Sequence, residues 1–229
     1  DEHPSVGQFQ VAADGRATGT FATTLGDYRY LAGSCRDGKL ILSCFDGAHA
    51  FLFHARLANQ DRNAPKLTGD FWSSDSWHET WTAEPDANAE LPDAWQLTRA
   101  QSATNLGGLA FPDVDGKMRR LDANEFSGPA RLIVVFGSWC PNCHDEFAYL
   151  VELDGKYRKR GLRIQGLAFE HAAEGRSPGA RGRQQVQRFA ARHGVEFPLL
   201  IAGLSQKARA SQAFPVLDRV RSYPTTLFL

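Results

Sequence analysis

Two cysteines set three apart, in Cys140-Pro141-Asn142-Cys143, are the residues most able to do chemistry in this chain of 229 residues. They follow a β-branched and aliphatic run, Arg131-Leu132-Ile133-Val134-Val135-Phe136, and open a stretch with helical periodicity. A strand running directly into a helix places Cys140 near the helix N-cap. Unpaired N–H groups and the positive end of the helix dipole favour an anion there, so a thiolate at Cys140 is stabilised. Pro141 suits the first helical position. Cys143 follows within one turn, close enough to close a disulfide with Cys140. The pair therefore suits thiol–disulfide exchange, with Cys140 attacking and Cys143 resolving the mixed disulfide. The same spacing also serves as half of a zinc site, which needs a second ligand pair. Only Cys35 and Cys44 remain, with eight residues between them, and His144 and His171 stand at no zinc-ligand spacing. Neither a metal nor a cofactor is expected.

The elements that must position this pair change character along the chain. Residues 5–98 carry short apolar or alternating runs separated by Asp14-Gly15, Gly26-Asp27, Asp37-Gly38 and Asp46-Gly47. That pattern predicts antiparallel strands joined by tight turns, as a sandwich or a small barrel. The stretch from Ala83 to Pro92 reads as an exit linker. Beyond about residue 103 the period shifts. Residues 141–160 read as a helix with an apolar stripe at Phe147, Leu150, Val151, Leu153 and Tyr157, ended by Gly161. Strands are predicted over 162–169, 197–201 and 225–229, a loop over 174–183, and a helix over 184–193 closed by Gly194. Strand–helix alternation implies an α/β domain with parallel pairing. The fold class is therefore α+β overall, with an antiparallel β domain over 1–100 and an α/β domain over 101–229.

Composition narrows the function. Lys and Arg number 26, Asp and Glu 26, and 42% of residues are hydrophobic, as in ordinary globular proteins. Residues 1–100 hold 8 basic and 14 acidic side chains, a balance of −6, and residues 101–229 hold 18 and 12, a balance of +6. The basic residues are scattered with no aromatic platform, which excludes a nucleic-acid surface. No apolar run approaches the ~20 residues needed to span a bilayer, so no membrane anchor is visible. Asp1-Glu2-His3-Pro4 has no signal-peptide pattern and reads as a processed or engineered start. Leu227-Phe228-Leu229 reads as a strand that stops without a turn, which suggests a domain continuing past Leu229.

Residues 104–229 resemble the TlpA/ResA-like branch of the thioredoxin superfamily, bacterial envelope thiol-disulfide oxidoreductases. The likeness is carried by Phe111-Pro112-Asp113-Val114-Asp115-Gly116-Lys117, by Val135-Phe136-Gly137-Ser138-Trp139-Cys140, and by Ser222-Tyr223-Pro224-Thr225-Thr226. It implies a thioredoxin-like domain lacking its last strand and helix, and reduction or isomerisation of protein disulfides. It also implies client thiols and an upstream redox partner in the periplasm or cell envelope. By the same resemblance Pro224 is a cis-proline against the two sulfurs, and the Tyr223 backbone pairs with an incoming peptide strand. Glu146 exchanges a proton with Cys143, and Trp139 shields the thiolate or packs. Three alternatives stand beside this reading. One is a peroxiredoxin-like peroxidase, whose Thr-x-x-Cys would need threonine where Gly137 stands. A second is a non-catalytic metal- or client-binding module using Cys140 and Cys143. The third makes the β domain the functional part.

The region before residue 100 resembles accessory β domains found ahead of such modules, through residues 26–31 and 45–53, and no activity follows from that. A two-residue turn at Asp37-Gly38 sets Cys35 opposite Leu40 and Cys44 opposite Leu31. The two thiols then share a face about 13 Å apart, too far for a disulfide, among Leu31, Leu40 and Leu42. Trp72, Trp77, Trp81, His78 and Glu79 make either a ligand groove or part of the core.

Overall fold

The computed structural model describes residues 4–58, 65–101, 106–172 and 177–229. The chain divides into two units, Asp1–Ala94 and Trp95–Leu229. The division falls a few residues before the one expected from composition. The reason is local: Ala100 bridges Leu217, and the Arg99 N–H donates to the Asp218 carboxylate, so residues 95–100 pack with the second unit.

The first unit is one antiparallel sheet. Its strands are β1 (Ser5–Val11), β2 (Arg16–Thr23), β3 (Gly26–Asp27), β4 (Leu31–Arg36), β5 (Lys39–Phe45), β6 (Ala50–Leu57), β7 (Leu67–Ser73) and β8 (Trp77–Ala83). They pair in the order β1-β2-β4-β5-β6-β7-β8, with β3 on β2, so nearly every strand pairs with its neighbour in sequence. The Asp37-Gly38 turn has positive φ at both residues, as a tight hairpin of this hand requires. The sheet curls. Phe21 on β2 lies 5.4 Å from Trp81 on β8, although four strands separate them in the ladder. At roughly 4.8 Å per strand a flat sheet would hold them more than ~20 Å apart. Around Phe21 gather Phe53, Phe71 and Tyr28, ring to ring within 4.5–6.5 Å, over Leu31, Leu40 and Leu42. Curling lets one sheet close a core by itself, where a sandwich would need two.

Cys35 pairs with Leu40 as the hairpin register demands, and Cys35 and Cys44 are both thiols packed on this core. The aromatic–polar cluster expected at residues 72–81 is split by strand alternation. Trp81 packs inward with the core, while Trp72 stacks on His78 at 5.0 Å, and His78 bonds the Asp70 carboxylate at 2.8 Å. These residues do not line one groove.

The second unit opens with a hairpin of β9 (Ala110–Pro112) and β10 (Met118–Arg120), whose turn Asp113 holds by accepting from the N–H groups of Asp115 and Lys117. Next come β11 (Ala130–Phe136), α1 (Pro141–Tyr157), β12 (Leu162–Glu170), α2 (Gly179–His193), β13 (Leu199–Leu204), α3 (Lys207–Ala213) and β14 (Thr225–Phe228). The sheet order is β13-β12-β11-β14, with the first three strands parallel and β14 antiparallel to β11. This is the thioredoxin-like arrangement. The five residues from Leu132 to Phe136 are buried in sequence, as a central strand covered on both faces must be. Phe136, Phe147, Phe189 and Phe197 knit α1 and α2 to the sheet, with rings 4.5–5.8 Å apart.

One expected boundary moves. Helix α2 begins at Gly179, inside the segment read as a loop over 174–183, whose first residues, 174–176, lie outside the described residues. Its glycines hid it. A side chain at Gly182 would run into the Pro178 ring and only touch the buried Glu170, so glycine there serves the close approach of Pro178 at the helix start. No helix among the described residues is long and apolar enough to cross a membrane.

Candidate active site

The turn from β11 into α1 brings Cys140 to the carboxyl end of the parallel strands. Cys140 is the N-cap residue of α1, with extended backbone, and Pro141 follows at the first helical turn. The Cys140 sulfur accepts from the Cys143 N–H at 3.4 Å, one of the orphan donors of the helix start. Its thiol donates to the Tyr223 carbonyl, also at 3.4 Å. Cys140 is 5% exposed and Cys143 is fully buried, and both are thiols. Burial, then the hydrogen bond and charge of Cys140, push the Cys143 thiol far up, with Glu146 adding to the push. Cys143 therefore holds its proton firmly. The Tyr223–Pro224 peptide is cis.

Glu146 lies one helical step beyond Cys143. Its Oε1 accepts from the Thr226 hydroxyl at 2.6 Å, while Oε2 is buried with no hydrogen-bond partner. Burial raises its pKa, against the lowering effect of Thr226. Trp139 donates its indole N–H to the Phe169 carbonyl at 2.9 Å and meets Tyr223 edge-on at 5.4 Å. The structure thus gathers Trp139, Cys140, Cys143, Glu146, Tyr223 and Pro224 around one helix start and the loop before β14.

Sequence reasoning gave no role to Ser138, Glu170 or His193, and weighed His171 only as a metal ligand. Glu170, fully buried at the end of β12, accepts from the Ser138 N–H at 2.8 Å and from its hydroxyl at 2.6 Å. Burial raises its pKa, countered by these two bonds. The sign of the linkage is that of an acid stabilised in its protonated form. Its contribution to stability is full below the ordinary carboxylate range and is lost as pH rises through the raised value. The available clue was a lone acid closing the apolar run Gly166-Leu167-Ala168-Phe169, at the sheet end where the cysteines emerge. His171 lies against Trp139 at 4.4 Å and bonds the Ser205 hydroxyl at 2.6 Å. A cavity of about 440 Å³ lined by Arg119, Arg158, Lys159 and Phe197 includes none of these residues.

Gly137 bears on the peroxidase alternative. A Cβ there would run into the Trp139 indole. A Gly137→Thr chain, carrying the residue such a peroxidase needs, is expected to displace Trp139 from the Phe169 carbonyl. The readout is a red shift and altered quenching of Trp139 emission, against a reference lacking that indole, together with a loss of about 1–3 kcal/mol of stability.

Residues 102–229 match the family model described as AhpC/TSA family, more than half of the chain. The chain belongs to the AhpC/TSA family. Relatives of this AhpC/TSA chain include the thiol-disulfide oxidoreductase ResA of Halalkalibacterium halodurans, 26% identical over 132 residues, spanning 57% of this chain and 63% of that protein. ResA of Geobacillus thermodenitrificans is 26% identical over 133 residues, spanning 56% and 66%. The chain thus spans just under two thirds of the length of these relatives. Among solved structures, a putative thiol:disulfide interchange protein DsbE from Chlorobium tepidum aligns with a TM-score of 0.39 at 18% identity, over 52% of this chain and 71% of that one. A thiol-disulfide oxidoreductase from Bacteroides fragilis aligns with a TM-score of 0.40 at 17% identity, over 52% and 78%.

Proposed function

We propose that this chain exchanges thiols and disulfides with protein clients in the bacterial envelope, as reductase or isomerase. The observation that carries the reading is the Cys140 sulfur at the N-cap of α1, accepting from the Cys143 N–H and lying against the Tyr223 carbonyl. The relatives named as thiol-disulfide oxidoreductases support it. The Cys140 thiolate attacks one sulfur of a client disulfide, forming a mixed disulfide and expelling a client thiolate, which takes a proton. Cys143 then loses its proton and attacks the Cys140 sulfur. The Cys140–Cys143 disulfide forms, the second client thiol leaves, and two electrons have passed to the client. A client strand would run along the Tyr223 backbone, with Pro224 and Trp139 bordering it.

Glu146 is the proton acceptor for Cys143 in this scheme. Its unpartnered Oε2 is buried, and its charge is felt by the Cys143 thiol, whose proton must go somewhere. Only ionised Glu146 can accept, so the second step should quicken as pH rises through its raised pKa. Glu146→Gln is expected to erase that inflection and slow resolution by about 10²-fold, measured by quenched-flow trapping of the mixed disulfide.

The test of the whole reading is insulin reduction with dithiothreitol as electron source. Catalysis above the dithiothreitol background is expected, and its absence with tight Cu(I) binding would give the site to a metal-binding module. The midpoint potential of the Cys140–Cys143 couple sets direction. A value near roughly −270 mV means a reductant, and one towards roughly −120 mV a disulfide donor.

A further inference from the structure

Ser138 stands two residues before Cys140, and all its polar groups are held. Its N–H and hydroxyl donate to Glu170, and its carbonyl accepts from His144 Nε2 at 3.0 Å. His144 Nδ1 lies 2.6 Å from Nε2 of His193, the last residue of α2. A carbonyl only accepts, so His144 carries its proton on Nε2, and its bare Nδ1 must accept from His193 Nε2–H. Both rings rest on Phe189, at 4.7 and 4.8 Å. A hydrogen-bonded path thus runs from the end of α2, through α1, to the turn that delivers Cys140.

We propose that His144 and His193 are positioning residues for the attacking thiol: His193 fixes the tautomer of His144, and His144 holds the Ser138 carbonyl. The proposal rests on Cys140 being the attacking sulfur. The pair can take up one proton without breaking either bond, because it can sit on His193 Nδ1 while Nε2–H still points at His144. A second proton would set two donors face to face. Burial, the charge of His144 when that ring holds the proton, and Arg192 hold His193 below the ordinary histidine value, and Asp145 on α1 pulls the other way. Glu170 faces the same turn across Ser138 from β12. The single positive charge, once present, favours the Cys140 thiolate at the adjacent helix start. Cys140 reactivity should therefore titrate twice, once with its own proton and once below pH ~6.5 with the histidine pair.

The experiment follows iodoacetamide modification of Cys140 by mass spectrometry from pH 4.5 to 9. The wild-type profile is expected to show the lower inflection, with rates below it about threefold above a single-pKa curve. In His193→Gln the amide N–H can still donate to His144 but cannot titrate. That variant is expected to keep the rate at pH 8 within about twofold and to lose the lower inflection. His193→Phe should lose the inflection and slow modification at pH 8 about fivefold. An inflection that survives in His193→Gln overturns the proposal, and so does a Phe variant as reactive at pH 8 as wild type. If the Phe variant does not fold, the Gln profile decides alone. Alkylation needs no turnover. Failure of insulin reduction in every chain, wild type included, would sink the exchange reading and leave the histidine result standing.

Discussion

A Cys143→Ser chain will accumulate a mixed disulfide between Cys140 and its client, and its turnover will fall about a thousandfold or more. The nucleophile is untouched, held at the N-cap of α1, so the first attack proceeds. What is lost is the sulfur that would displace the client, and serine cannot supply it. Cys140→Ser will lose turnover as completely but will trap nothing. The contrast between the two chains, read on a non-reducing gel with insulin or a periplasmic extract, separates attacker from resolver. Burial supports this order, because the fully buried Cys143 can meet little but the Cys140 sulfur, while Cys140 sits beside the Tyr223 backbone. Trapping through Cys143 in the Cys140→Ser chain would reverse the two roles.

Phe147→Ala is expected to remove about 3–5 kcal/mol from the unfolding free energy of the second unit. Phe147 is fully buried on α1, four residues after Cys143, and its ring meets Phe136 on β11, Phe189 on α2 and Phe197 before β13. Truncation leaves a cavity walled by three other rings, which cannot all move in to fill it. Urea unfolding followed by circular dichroism should show the second unit's transition moving to lower urea while that of the first unit stays. A loss below about 1 kcal/mol would mean that α1 is held by its termini rather than by this cluster.

The features legible in the chain are the local ones. Trp139-Cys140-Pro141-Asn142-Cys143 carries its own context, since a buried strand before it and a periodic helix after it suffice to place a thiol at an N-cap. The β region was legible for the same reason, because its strands pair with sequence neighbours and Asp37-Gly38 sets the register of Cys35. Glu170 was not legible. Its meaning depends on β12 lying parallel beside β11, which brings residue 170 to Ser138, 32 positions earlier. The His144–His193 contact joins positions 49 apart and has no local signature. The start of α2 was missed because Gly179 and Gly182 speak against a helix unless the close approach of Pro178 to Gly182 is known.

The placement of β14 bears on how the chain is made. The first sheet can be completed strand by strand as residues appear, since its pairings span short stretches of sequence. The second cannot. β11 must wait for β14, about 90 residues later, to occupy its open side. Tyr223 and Pro224 arrive just ahead of β14, so the loop that covers Cys140 reaches it only after 83 further residues have been made. At ribosomal speeds of roughly 5–20 residues per second, α1 and its two thiols exist for several seconds without that cover. In that interval the nascent chain is itself open to thiol oxidation by its surroundings, including pairing with Cys35 or Cys44, both also thiols. A chain with four thiols therefore needs a reducing environment during synthesis to keep its own cysteines in order.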